Sequence, residues 1–334
     1  MPRFNFHPQA NAMIAYISTQ GAKLSAESER LLVSIEGKEI GEIETVRCDG
    51  ILLFGGIEIT TPAITLCVRK GIPVSFLTES GSRLKARILP AGTERRFRRQ
   101  YALLENSNAC LALARSTVRA KLEASLAVVE DYSSNLQPEP PEVAAAREVL
   151  SEALPNSDSA PGIPELNGIE GAAAASYFRA FGPMLGSVEW PGRTGRGAAD
   201  PVNALLNLAY SLVVSELTAR LDAAGLDPDA GFMHADRPGR PSLALDLMEP
   251  LRPALCDRFV LSAFNRREVN PENDFENTPE GLRLNRAAFH KVLKKWEARQ
   301  KEVMPGTNPP VSNDAAIAGV VDSFLKTVLH SSRK

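Results

Sequence analysis

Residues 231–252, GFMHADRPGRPSLALDLMEPLR, gather more chemistry than any other stretch of the chain. Gly231, Phe232 and Met233 form a short apolar approach that delivers His234. A Pro/Gly/Arg turn follows, carrying Arg237 and Arg240. Ser242 is the expected N-cap of a helix, because a serine hydroxyl accepts a hydrogen bond from a free first-turn amide. Inside that helix Asp246 and Glu249 stand three residues apart, which puts both carboxylates on one face. Hard divalent cations take oxygen ligands and tolerate an imidazole. A phosphate held beside such a metal suits the planar fork of arginine. The same residues also read as a capping or core histidine, solvent-facing acids and weak surface ion pairs, and the segment alone does not choose between these.

At 334 residues the chain has room for about two domains. Its hydrophobic content of 44% and charged content of 23% are those of an ordinary globular protein. The net charge of −2 averages unlike regions. Residues 91–121 hold Arg95, Arg96, Arg98, Arg99, Arg115, Arg119 and Lys121 against Glu94 and Glu105, whereas residues 130–158 hold seven acids against Arg147. A polyanion therefore has a local basic surface to bind despite the balanced total. Cys48, Cys67, Cys110 and Cys256 are scattered with no CxxC pair, which argues against a zinc ribbon, an iron–sulfur site or a disulfide framework. No secretory leader and no apolar run of membrane-spanning length are read, so a cytoplasmic protein is expected.

The first 90 residues read as strands and turns. Strands are expected at 12–18 (AMIAYIS after Ala12), 30–35 (RLLVSI), 45–54, 72–77 (IPVSFL) and 84–89. One short helix begins at Thr61-Pro62, with Thr61 as cap and Pro62 at a first helical position, and Gly71 ends it. Alternation along the strands is imperfect. A small β-rich domain over 1–90 follows, with no catalytic spacing and an expected structural or dimer-forming role. Pro90-Ala91-Gly92 marks a boundary, and 91–100 a basic hinge in which ERRFRRQY (94–101) reads equally as a solvated helix face and as a phosphate contact.

From 101 onward the period is helical, giving an α+β chain with a larger all-α domain over 101–334. Leu103 to Leu122 fit one long helix, broken by the Pro/Ser-rich stretch 133–141. A short acidic helix is read over 142–154, and the break before it and the loop over 155–164 look like the least constrained part. LNGIEGAAAASYF (166–178) sets Glu170 among glycines and alanines. It is either a first-turn glutamate favoured by the helix dipole or a partly buried one that needs a cation partner. Tyr177 lies two turns on, along the same side. Residues 189–199 (EWPGRTGRGAA) form a Gly/Arg loop without the GK[ST] of a phosphate-binding P-loop. Asp200-Pro201 opens the clearest helix, on which Asn203, Asn207 and Tyr210 share a face. Helices over 285–303 and 314–329 close the chain, and His7, His290 and His330 have no ligand-like company.

Taken in order, LNGIEGAAAASYF, DPVNALLNLAYSLV and GFMHADRPGRPSLALDLMEPLRP resemble the CRISPR-associated spacer-acquisition integrase, the larger and catalytic subunit of the complex that inserts new spacers. The resemblance covers nearly the whole chain. It implies metal ligands at Glu170, His234 and Glu249, the last a glutamate where many relatives carry aspartate, with Asp246 as a supporting or additional ligand. It implies Mg²⁺ or Mn²⁺, and transfer of a DNA 3′-OH onto a repeat phosphodiester, with nuclease activity at the same site. Arg237, Arg240 and Arg252, with Arg95, Arg96, Arg98 and Arg99, are the candidate phosphate contacts, and Tyr177 and Asn207 the pocket residues. Double-stranded DNA, a second copy of the chain and the small companion subunit are the implied partners. A metal-dependent DNase without joining activity and a non-catalytic DNA-binding scaffold are the competing readings.

Overall fold

The run Ile51-Leu52-Leu53-Phe54 is buried at every position because its strand is covered on both faces. In this computed structural model, which describes residues 13–330 apart from 82, 91–93, 135, 187, 196, 235, 236, 238, 306 and 308, eight strands form the N-terminal part. They are β1 (Met13–Ile17), β2 (Lys23–Glu27), β3 (Arg30–Ile35), β4 (Lys38–Glu44), β5 (Cys48–Phe54), β6 (Glu58–Ile59), β7 (Val74–Leu77) and β8 (Leu84–Ile88). One sheet runs β1-β5-β7-β8, the other β4-β3-β2-β6. β5 lies parallel to both β1 and β7, with Ile51 opposite Val74 and Leu53 opposite Phe76. Ile51, Leu53 and Val74 face the core between the sheets, together with Ala63, Leu66 and Cys67 of the helix α1 (Thr61–Lys70). Leu52, Phe54, Ile14 and Leu77 point the other way, into the helical core. That is why the alternation is imperfect: a strand buried on both faces is apolar throughout.

Several boundaries differ from those expected. Strands β2, β4 and β6 were not read in the sequence; β2 and β4 carry lysines and glutamates on exposed positions, which dilutes their pattern. Helix α1 is capped by Thr60, whose hydroxyl accepts from the Ala63 amide at 3.3 Å, rather than by Thr61. The expected strand over 45–54 opens with a 3-10 turn, Thr45–Arg47. Ala12 and His7 lie outside the described residues.

The helical part contains α2 (Glu94–Leu104), α3 (Ser107–Ser133), α4 (Pro141–Ser159), α5 (Ile163–Met184), α6 (Pro201–Ala223), α7 (Ser242–Met248), a π-helical segment (Arg252–Asp257), α8 (Arg258–Asn265), the antiparallel hairpin β9 (Phe275–Thr278) and β10 (Gly281–Leu284), α9 (Arg286–Gln300) and α10 (Asn313–His330). The single long helix expected from Leu103 is two, because Asn106 caps α3 by accepting from the Ala109 amide at 3.1 Å. The acidic helix α4 runs on through Pro155, leaving only a short link before α5. Most of the expected loop is therefore helix, and α4 places Val143, Ala146 and Leu150 in the core. The stretch 94–104 is a docked helix: buried Gln100 donates to the carbonyls of Asp227 and Ala230 and accepts from the Asp227 amide.

Helix α6 is long and apolar enough to cross a membrane, unlike the reading above, but 83% of its apolar window is buried in this fold. Its polar side chains fasten the β-rich part to the helices. Tyr16 of β1 and Trp296 of α9 both donate to Oε1 of Glu216, the second at 3.0 Å. Arg220 donates to Asp49 at 2.7 Å and pairs with Asp314, while Arg87 of β8 reaches Asp222 at 3.3 Å. Burial pushes the Glu216 carboxyl up to about 7, against the pull of Tyr16, Trp296 and Arg220. A folded-state value above the unfolded one favours the protonated carboxyl in the fold. Its contribution is therefore complete below about pH 4.5 and lost as pH rises through about 7, on the order of 3 kcal/mol in all. Replacing Glu216 by Gln is expected to stabilise the protein at pH 8 and to change little near pH 4.5. Urea unfolding at the two pH values measures this, and an identical effect at both would rule it out.

Candidate active site

Glu170 and Glu249, from α5 and the end of α7, meet at one nitrogen. Lys121 of α3 donates through Nζ to Glu170 Oε1 and, at 2.6 Å, to Glu249 Oε2. Glu170 lies two turns into α5, not in its first turn, so its cation partner is a side chain rather than a helix end. Glu249 stands at the C-terminal end of α7 with its side chain 6% exposed. Its other oxygen meets Arg252 Nη2 at 3.2 Å. Burial works to raise the Glu249 carboxyl, but Arg252 and Lys121, helped by His234, hold it down at about 2. Burial likewise opposes the charge on Lys121, and Glu249 and Glu170 outweigh it, raising the ammonium above its usual range.

Asp246, fully buried, faces the other way along α7. Its Oδ2 accepts from the amides of Phe232 at 2.7 Å and Met233 at 2.9 Å; its Oδ1 accepts from the His234 amide at 3.1 Å and contacts His234 Nδ1. Both oxygens are thus engaged in shaping the 231–234 segment. A carboxylate accepting at Nδ1 fixes the ring and leaves Nε2 as the lone-pair nitrogen, and Nε2 has no hydrogen-bond partner among the described residues. Gly231 is required by the same packing: a Cβ there would lie 2.7 Å from Asp246 Oδ2 and 2.9 Å from Ser242 Cβ. Helix α7 begins at Ser242 with Pro241 in the cap position, so the serine is the first helical residue rather than the cap.

The structure therefore brings Glu170 to Glu249 and His234 to Asp246. Among the described residues no three His, Cys, Asp or Glu side chains are grouped so as to hold a metal ion as they lie. The donor chemistry nevertheless fits a hard divalent cation, since two carboxylates already converge on one cationic centre beside an oriented imidazole.

Beneath this lies a second polar layer. Tyr177 and Tyr210 donate to Asp257 at 3.0 and 2.6 Å. Burial raises Asp257 to about 6, against the pull of both hydroxyls. The guanidinium carbons of Arg252 and Arg193 lie 4.8 and 5.3 Å from the Tyr210 ring centre, within cation–π range. Arg193 is tied to Asn203 at 2.9 Å and Asn207 at 2.8 Å, so at this residue the Gly/Arg loop is anchored. Arg237 is exposed and Arg240 half-buried, and neither forms an ion pair among the described residues. Arg95, Arg96, Arg98 and Arg99 are exposed on α2, and none lines the cavity beside Glu170.

Lys121 was read in the sequence only as part of the basic surface over 91–121, whereas its side chain is 15% exposed and turned to Glu170 and Glu249; Arg193 and Asp257 were not singled out. Lys121 had a signal: Ala114, Val118, Lys121, Ser125 and Val128 follow helical spacing, and the other four are buried. Asp257 sits within the apolar run LCDRFVL, which marks a buried acid.

Residues 15–298 match the family model described as CRISPR associated protein Cas1. The chain belongs to the CRISPR-associated Cas1 family. It is 34% identical over 300 residues, 86% of each chain, to a CRISPR-associated endonuclease Cas1 from Rhodospirillum rubrum. The fold is similar to that of a CAS1 protein from Thermotoga maritima, at TM-score 0.78 and 21% identity over 95% of this chain and 97% of that one. A casposase bound to integration product is also similar, at TM-score 0.74 and 22% identity over 96% and 92%.

Replacing Asp246 by Ala is expected to leave three amides without their acceptor and to cost at least about 3 kcal/mol. Asp246→Asn, which keeps one carbonyl, should cost less. Urea denaturation of both variants checks the order; equal, small losses would show that Asp246 does not hold the segment.

Proposed function

We propose that the protein is a divalent-metal-dependent DNA endonuclease and integrase of spacer acquisition, joining spacer 3′-OH ends to the CRISPR repeat. The observation that carries this is the convergence of Glu170 and Glu249 on one cationic position, beside a histidine whose second nitrogen is held by Asp246. Membership of the Cas1 family, the endonuclease relative and the likeness to a casposase bound to integration product support the same chemistry.

Glu170, Glu249 and Nε2 of His234 are the groups that would hold Mg²⁺ or Mn²⁺. When bound, such an ion supplies Lewis acidity toward a phosphodiester oxygen and makes a hydroxyl a better nucleophile near neutral pH. Asp246 keeps Nδ1 of His234 engaged, so the ring presents a fixed face. Arg252 stays oriented by Glu249 and the Tyr210 ring, and with Arg237 and Arg240 it offsets the charge of the attacked phosphate. Asn207, Asn203 and Tyr210 hold Arg193 at the same wall. Water in place of the 3′-OH gives cutting, so hydrolysis and joining share these residues. Contacts by arginine to the DNA backbone make binding strongly salt-dependent. Partners in this reading are double-stranded DNA, the small companion subunit and a second copy of the chain; exposed Met13, Ile40 and Val46 offer an apolar surface for the last.

Replacing Glu170 by Gln or His234 by Ala is expected to lower cutting and joining together by at least about a hundredfold. A branched DNA carrying a free 3′-OH, assayed with Mn²⁺, measures both. Cutting without detectable joining in the native protein would leave only a DNase, and unchanged chemistry in His234→Ala would leave a DNA-binding scaffold.

A further inference from the structure

We propose that Lys121 is the resident counter-ion of the Glu170–Glu249 pair, and that its ammonium and a divalent cation occupy the same position in turn, so that metal loading ejects the lysine. The inference rests on the reading of the two glutamates as metal ligands and adds a step to it.

Four observations carry it. First, one nitrogen meets both carboxylates, although Lys121 is 49 residues from Glu170 and 128 from Glu249 in the chain. The cation is therefore placed by the packing of α3, α5 and α7, not by local sequence. Second, the acids are enclosed: side-chain exposure is 24% for Glu170, 6% for Glu249 and 15% for Lys121. Two carboxylates drawn to one nitrogen repel each other, and the ammonium that both of them meet offsets that repulsion. Arg252 cannot serve, because it reaches Glu249 alone and is stacked on Tyr210.

Third, the two cations exclude one another. A magnesium ion takes carboxylate oxygens at about 2.0–2.1 Å, and Glu249 Oε2 already stands 2.6 Å from Nζ. The position holds one positive centre, and like charges at that range repel. Fourth, the ammonium has somewhere to go. A cavity of about 50 Å³ adjoins Lys121, walled by Ser125, Tyr177 and the carboxylate-bearing Asp257, with Arg193 and Arg252 also in its lining. By the same measure a single water needs about 10–15 Å³. The four-carbon stem of lysine is flexible enough to turn its head without moving α3.

A consequence is that Lys121 weakens metal binding while stabilising the metal-free protein. A lysine with a purely structural role gives the opposite sign, since removing it would loosen the site. The test titrates Mn²⁺ into the full chain by calorimetry, comparing native protein, Lys121→Met, Lys121→Gln and Glu170→Gln, with circular dichroism confirming the fold. Mn²⁺ is expected to bind Lys121→Met and Lys121→Gln about tenfold or more tightly than native protein, since one adjacent charge shifts an ionic equilibrium by about one to three decades. Glu170→Gln should bind far more weakly. Acetic anhydride labelling of the native protein, read by mass spectrometry, gives a second measure without any variant: Mn²⁺ should raise the acetylation rate of Lys121 several-fold relative to Lys294. Equal or weaker Mn²⁺ binding by folded Lys121 variants, or unmoved Lys121 labelling in native protein that binds Mn²⁺, overturns the exchange and leaves the metal reading standing. Absence of Mn²⁺ binding in every form, or binding indifferent to Glu170→Gln, overturns the metal reading and the exchange with it.

Discussion

A helix buried on nearly all sides is stabilised where the polar side chains it carries find partners inside the protein. Helix α6 is such a helix, and where its polar groups find partners sets the layout of the molecule. Toward its N-terminal half Asn203 and Asn207 hold Arg193, and Tyr210 donates to Asp257, which builds the floor of the site. Toward its C-terminal half Glu216, Arg220 and Asp222 meet Tyr16, Asp49 and Arg87, which docks the β-rich part. One element therefore links the sheet to the chemistry.

The site follows the same logic at higher charge density. Asp246 takes three amides and an imidazole, Glu249 takes Lys121 and Arg252, Glu170 takes Lys121, and Asp257 takes two tyrosines. Among these four acids, Glu170 and Glu249 share a partner, the Lys121 ammonium. Asp246 and Glu249 sit on one helix face by sequence spacing, yet they do different work. The close approach permitted by Gly231 wraps the 231–234 segment around Asp246, while Glu249 meets Lys121 and Arg252.

Family membership and local geometry contribute different things. The Cas1 match covers residues 15–298 and names the class of protein. It does not single out Lys121, which becomes visible only through its contacts, nor the anchoring of the Gly/Arg loop by two asparagines. Those features come from buried charge and hydrogen-bond satisfaction in this chain.

Much of the site was legible along the chain because it is written in short spacings: His234 with Asp246 and Glu249, the glutamate among alanines at 170, the Asp200-Pro201 helix start. The α+β character was legible too, from β-branched runs before residue 90 and helical periods after 101. Several boundaries were not, since Asn106 splits an apolar pattern without interrupting it, and Pro155 stays helical because Val143, Ala146 and Leu150 pack the rest of α4 into the core. Sequence alone determined which side chains were available and which of them lay on a common helix face, because those depend on local periodicity. Only the tertiary structure decided that Lys121 stands between Glu170 and Glu249, that Asp246 turns away from them, and that the central strand is covered on both sides. Such choices depend on which distant groups are buried together, and no spacing along the chain encodes that.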